Sequence, residues 1–193
     1  MITEPKLAKP GAGLPFAEWA VAKYIMLPRL LKNTDKDKAL DSFAQESKQI
    51  LTIVGQLSSE NLSKRRLIPR LRGLEDSSRY WSVAMTLQHL VIVGDSMRQV
   101  ILQLSSGIKP PKPVRTADVK PDSSLDIENI LKDFEQMSEQ FLKETAAADI
   151  EAFPQLMHAH PWFGPLNARQ WLIFAAPHQK IHHKQIEVII DRL

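Results

Sequence analysis

Apolar residues recur at three- and four-residue intervals along most of this chain, and no stretch sustains strict apolar-polar alternation, which predicts helices rather than strands. Four stretches carry the pattern. The first runs from about 38 to 58, with Leu40, Phe43, Ile50, Val54 and Leu57 on one stripe and Thr34 or Asp37 placed to cap it. The second runs from about 82 to 105, opens on Ser82 as N-cap, and sets Leu87, Leu90, Val91, Gly94, Met97, Ile101 and Leu104 on one face before "SSG" closes it. The third begins near Ser123 or Ser124 and carries Asp126 and Glu128 in its first turn, where carboxylates suit the helix dipole. Its stripe is Ile127, Ile130, Leu131, Phe134, Met137 and Phe141. The fourth starts at Asn167, with Gln170 three residues on as the return arm of a capping box, and runs nearly to the last residue.

Helices of about 20 residues with one apolar face each pack most simply as a four-helix bundle, so the fold class is all-α. A shorter helix from about 16 to 31, with Phe16, Trp19, Ala20, Leu27 and Leu30, is expected across the outside. One domain spans 1–193: an N-terminal extension and short helix over 1–37, then the bundle over 38–193. Between the second and third helices, "SSGIKPPKPVRTADVKPDSS" reads as a lid, a crossover or an unstructured connection.

Composition narrows the chemistry. A chain of 193 residues that is 44% hydrophobic and 24% charged can bury a core as one domain. Cysteine is absent, so thiolates are excluded and histidines and carboxylates must carry any site. The most apolar N-terminal stretch, "LPFAEWAVAKYIMLPRLL", is broken by Glu18, Lys23 and Pro28, so neither a secretory leader nor a membrane span is expected and the chain reads as cytoplasmic. The short helix lacks the basic face of a membrane-surface element. A net charge of +3 is too small to imply nucleic acid, and the basic run "SKRRLIPRLRG" (64–73) reads as a solvated loop. Aromatics such as Trp19, read as exposed, leave homodimerisation open.

Three of the six histidines fall within "PHQKIHHKQI" (177–186). On a wheel of about 100° per residue, His178 and His182 lie within about 40° of each other, on the inward face with Trp171, Phe174, Ala175, Gln185 and Ile189. His183 sits about 140° from His178 and reads as a surface residue. Imidazoles at i and i+4 can reach one metal ion from a single helix. A chance H-x-x-x-H is common, but His89 lies among apolar residues of the second helix, where a polar ring needs a partner. If those two helices are neighbours, His89 completes a three-histidine site. Around it, Gln185 shares the inward face, His160 opens the turn "HPWFG", Trp162, Phe163 and Trp171 read first as core, and His158 reads as a loop residue. The carboxylates offer no recognisable acid-base pair, and no residue is assigned as catalytic. Pro177 removes a backbone donor inside the fourth helix, so a kink or restart is expected just before His178.

The motifs "WSVAMTLQHL" and "HPWFGPLNARQWLIFAAPHQKIHHKQI" resemble the DinB-like, YfiT-like superfamily of helical-bundle metalloenzymes, within it a bacterial branch that carries no assigned activity. The resemblance covers roughly 38–193. It implies His89, His178 and His182 as the metal ligands, the same three that the wheel selects; His160, Gln185 and Trp171 are expected from their own positions to line the site. Three neutral imidazoles leave open positions on zinc or nickel, or on manganese or iron(II), as catalytic sites do. Such a site can lower the pKa of water for hydrolysis or hold a small thiol as thiolate. The resemblance implies thiol chemistry, which in a chain without cysteine needs a low-molecular-weight thiol cosubstrate. The functional expectation is therefore a metal-dependent transferase or hydrolase acting on a small molecule. A metal-binding stress or sensor protein and a metal-free helical interaction module are the alternatives.

Overall fold

The computed structural model describes residues 5–111, 119–121 and 126–193. The expected start of the third helix at Ser123 or Ser124, and much of the 105–124 connection, lie outside them. In chain order the elements are α1 (Phe16–Val21), a π turn (Ala22–Met26), α2 (Leu27–Asn33), α3 (Lys36–Val54), α4 (Ser59–Ser63), β1 (Arg66–Leu67), a 3-10 turn (Asp76–Ser78), β2 (Tyr80–Trp81), α5 (Val83–Ser105), α6 (Ile130–Ala147), β3 (His158–His160), β4 (Gly164–Leu166) and α7 (Ala168–Ile190).

The bundle consists of α3, α5, α6 and α7. In it α3 packs on α7 and α6, and α5 packs on α6 and α7. The predicted stripes are the core: Phe43, Ile50 and Val54 from α3, Leu87, Leu90, Met97, Ile101 and Leu104 from α5, and Phe134, Met137 and Phe141 from α6 are buried. Phe43 and Phe141 stack across α3 and α6 with ring centroids 4.0 Å apart. Gly94 lets α6 approach α5, because a Cβ there would lie 2.3 Å from Met137 Sδ.

Ser82 Oγ accepts from the Met85 N–H at 3.1 Å, and Asn167 and Gln170 form the reciprocal capping box, each bond 3.0 Å. α3 is capped by neither Thr34 nor Asp37 but by Asp35, whose extended backbone turns its carboxylate onto the Lys38 N–H at 2.9 Å. Asp126 and Glu128 precede α6 rather than occupying its first turn. Asp126 closes the turn before the helix, accepting from the Glu128 N–H at 3.0 Å and from Asn129 Nδ2 at 2.8 Å. Residues 168–190 stay helical through Pro177, so the expected restart does not occur. The helix is buried from Trp171 to Ala176 before that proline and at Gln179 and His182 after it, and tertiary packing holds it together against one missing hydrogen bond.

Two hairpins were not legible in the pattern. β1 pairs antiparallel with β2, Arg66 opposite Trp81, and β3 with β4, His158 opposite Leu166 and His160 opposite Gly164. Each strand has two or three residues, too few for alternation to show. The basic run is anchored at several points although Arg70 and Arg72 stay exposed: Ile68 is buried, Arg65 stacks over the Tyr80 ring at 4.2 Å, and Arg70 pairs with Glu18.

The N-terminal rod widens into a π turn just before Pro28, the residue that cannot donate to the carbonyl four positions back. It lies outside the bundle, as expected, but Trp19 is not a free surface aromatic. Its Nε1–H donates to the Trp162 carbonyl at 2.7 Å, and neighbouring Glu18 accepts from the Gly73 N–H at 2.5 Å. Both contacts hold the rod beside the end of the bundle that carries the histidines.

Candidate metal centre

His89 lies about two turns into α5, and His178 and His182 one turn apart on the α7 face that meets it. Ring centroids are 5.4 Å apart for His89 and His178, 4.6 Å for His89 and His182, and 4.7 Å for His178 and His182. One ring nitrogen from each lies within 4.8 Å of the others. The Trp81 ring, at the end of β2, stands 5.2 Å from His89 and 6.2 Å from His182.

Burial sets the charge of this cluster. Desolvation pulls His89 down to about 4, against the hydrogen bond to Val119 and the field of Glu75, which favour the cation. Desolvation and then the neighbouring His89 bring His182 to about 3. His178 falls well below the ordinary imidazole range for the same reasons, with His182, His89 and His160 adding repulsion. At neutral pH all three are uncharged rings with a lone pair to offer.

The supporting bonds decide which nitrogen offers it. His89 Nδ1 is 2.8 Å from the Val119 carbonyl, which can only accept, so Nδ1 carries the proton and Nε2 is free. Gln185 is fully buried and donates through Nε2 to the Ser78 carbonyl at 2.8 Å, which fixes its Oε1 as the atom 2.7 Å from His182 Nδ1. His182 therefore also donates through Nδ1 and keeps Nε2 free. Outer partners that orient ligand imidazoles in this way are a regular feature of metal sites. Three neutral imidazoles, two of them with Nε2 left unprotonated, fit a divalent cation.

The cluster borders a cavity of about 140 Å³ lined by α5, α7, the β3–β4 hairpin and the 73–78 segment. His160 and Trp171 stand in its wall. His160 also has a turn role, since its Nδ1 accepts from the Trp162 N–H at 3.1 Å. Gln185 is not in the wall but behind His182. His158, expected to be a plain loop residue, is buried and lines the cavity, because the hairpin folds it inward. His183 is not a surface residue: its side chain is 15% exposed and its Nδ1 lies 2.8 Å from Glu46 Oε2 on α3, away from the cluster.

Sequence reasoning missed Glu75. It is 4% exposed, lines the cavity, and is held by the N–H groups of Gly13 at 2.8 Å and Gly11 at 3.1 Å and by the Ser77 hydroxyl at 2.8 Å. It sits in irregular chain whose burial no periodicity announces. A carboxylate beside two glycine N–H groups more than 60 residues away is visible only in three dimensions.

Comparison with known proteins places this architecture. The DinB superfamily matches residues 42–186. A solved structure, that of TT2238, described as a four-helix bundle protein, is similar with a TM-score of 0.56 and 25% identity, covering 79% of this chain and 98% of that one. No curated protein matches. Among the described residues, no helix is long and apolar enough to cross a membrane.

Proposed function

This chain belongs to the DinB superfamily, and on that footing we propose that it is a metal-dependent enzyme acting on a small molecule, with His89, His178 and His182 holding a divalent cation, zinc or nickel foremost. One observation carries the reading: three neutral imidazoles from two helices present nitrogens within 4.8 Å of one another at the wall of a cavity. A structural metal site closes its fourth position with a protein ligand. Here the fourth side is cavity, which suits a site that admits a reactant.

A divalent ion held by three imidazoles supplies Lewis acidity, toward water for hydrolysis or toward a thiol cosubstrate for transfer. The chain's own residues prepare the place. Val119 and Gln185 hold two ligand rings in the tautomer that leaves Nε2 free. Trp81 covers one side of the cluster, and burial keeps the imidazoles unprotonated at neutral pH. The absence of cysteine makes any thiol in the reaction a cosubstrate. The cytoplasm is the compartment we assign.

Elemental analysis of the untagged protein tests this, with His89→Ala, His178→Ala, His182→Ala and His183→Ala prepared alongside. We expect near-stoichiometric metal in the parent and in His183→Ala and its loss in the other three, with turnover of thiol-plus-electrophile or ester substrates only in the metal-loaded forms. Metal retained in the three cluster variants would remove the assignment. Full loading with no turnover would leave a metal-binding protein that is not an enzyme.

A further inference from the structure

Besides α5 and α7, two segments far apart in the chain wall the cavity: the 73–78 segment, through Gly73, Leu74, Glu75 and Ser78, and the β3–β4 hairpin, through His158, His160, Pro161 and Trp162. Among the described residues, no hydrogen bond joins these two segments to each other. The N-terminal chain spans them instead. The Ala8 N–H donates to Asp76 Oδ2 at 2.7 Å, the Gly11 and Gly13 N–H groups donate to Glu75, and Glu18 accepts from the Gly73 N–H, so residues 8–18 are fastened to the first wall. The next residue, Trp19, reaches the second: its Nε1–H donates to the Trp162 carbonyl at 2.7 Å. Among the described residues this is the one hydrogen bond from the N-terminal rod to the hairpin.

Burial does little to back up that bond on either side of it. Phe16–Met26, the part of the rod that carries Trp19, has no buried residue, and Phe16 and Tyr24 are 79% and 64% exposed. The hairpin from 159 to 165 has no buried residue either, and its strands are three residues long. A two-stranded hairpin is marginal on its own, and segments with few buried apolar contacts open at far lower cost than the core. Lids that admit reactants are drawn from such segments.

We infer that the Trp19–Trp162 hydrogen bond is a latch on the cavity: while it is made, the hairpin is held to the rod and the 73–78 segment, and when it breaks, the hairpin lifts and the cavity opens. A latch of this kind speeds entry and release together and leaves equilibrium affinity nearly as it was. The inference rests on the reading of the cavity as the reactant site, and it is tested first without metal.

Native-state hydrogen exchange, read by mass spectrometry on the full-length metal-free protein, makes that test. Trp19→Phe removes the donor, deletes no core residue, and takes no partner from any hairpin amide, so faster exchange there reports the hairpin lifting. We expect exchange across 158–166 to rise roughly fivefold in Trp19→Phe, the worth of one hydrogen bond, with 74–78, α5 and α6 unchanged. Met26→Ala, on the same rod but away from the latch, should behave as wild type. In zinc-loaded protein, Trp19→Phe should both take up zinc and release it to excess chelator faster by about the same factor, with Kd within about twofold of wild type. Unchanged hairpin exchange would overturn the inference, and so would a rise shared by α5 and α6, since the bond would then only add to global stability. Faster zinc release without faster uptake would overturn it too, as the mark of a damaged site rather than an opened path. If wild type binds no zinc, the metal-centre reading falls and hydrogen exchange alone decides the latch.

Discussion

Two seams of the bundle are filled by flat rings and differ in what those rings need. Between α3 and α6, Phe43 and Phe141 stack at 4.0 Å with planes 13° apart, each at most 2% exposed. Between α5 and α7, His89 and His182 approach to 4.6 Å, are almost as buried, and sit 55° apart. The phenyl seam is finished by its own packing, since dispersion and water exclusion ask for no further partner. The imidazole seam is not. It keeps Nε2 of His89 and of His182 unprotonated, and burial disfavours the charged form of both rings. One seam holds the bundle together, and the other spends stability on a place where something can bind.

The largest expected effect tests the first half of that contrast. Phe141→Ala should lower unfolding free energy in urea by about 3–5 kcal/mol, the usual cost of deleting a buried phenyl ring, while zinc content of the folded variant stays at the wild-type level. A loss below about 1 kcal/mol, or a fall in zinc content under native conditions, would show that the seams are not separate in role.

Acid should attack the other seam selectively. The cluster histidines bind protons less readily folded than unfolded, so their contribution is present above the unfolded value near 6.5 and is lost as pH falls through it toward the lowered folded values. In metal-free protein this is about 1 kcal/mol per buried histidine between pH 6.5 and 5.5, hence about 3 for the three. Carboxylates such as Asp76, held low first by the Ala8 N–H and then by Arg79, titrate below this window. Urea midpoints of wild type and His89→Gln across it should diverge, the variant showing the shallower slope. Parallel slopes would mean that the cluster does not carry the acid sensitivity.

The helices of both seams were legible because a period of 3.6 residues sustained over five or six turns leaves few alternatives. The wheel selected His178 and His182, and an isolated polar ring among apolar residues of α5 selected His89. The cavity walls were not legible. Glu75, His158 and the partners in Ser78 and Val119 sit in hairpins and irregular chain, where side-chain direction depends on turns too short to leave a pattern. His183 shows the same limit within a helix. The wheel set it at the edge of the polar face, but what lies beyond that edge is Glu46 on another helix, and only packing reveals it.

The smallest effect concerns the buried amide that makes the imidazole seam usable. Gln185 joins the Ser78 carbonyl to His182 Nδ1, so its oxygen keeps the His182 proton on the side away from the cluster. Gln185→Leu fills a similar volume but offers neither bond, and His182 can then turn or move its proton to Nε2. Zinc affinity should fall about 10- to 100-fold, the usual effect of removing an outer partner of a ligand histidine. Gln185→Glu keeps an acceptor for His182 Nδ1 while losing the donor to Ser78, so a positioning role predicts that it retains most of the affinity that Leu loses. Titration of both variants against a competing chelator, with thermal melts of the metal-free forms, separates the cases. If Glu and Leu lose affinity equally in step with their melting temperatures, Gln185 only packs, and the tautomer of His182 is set elsewhere.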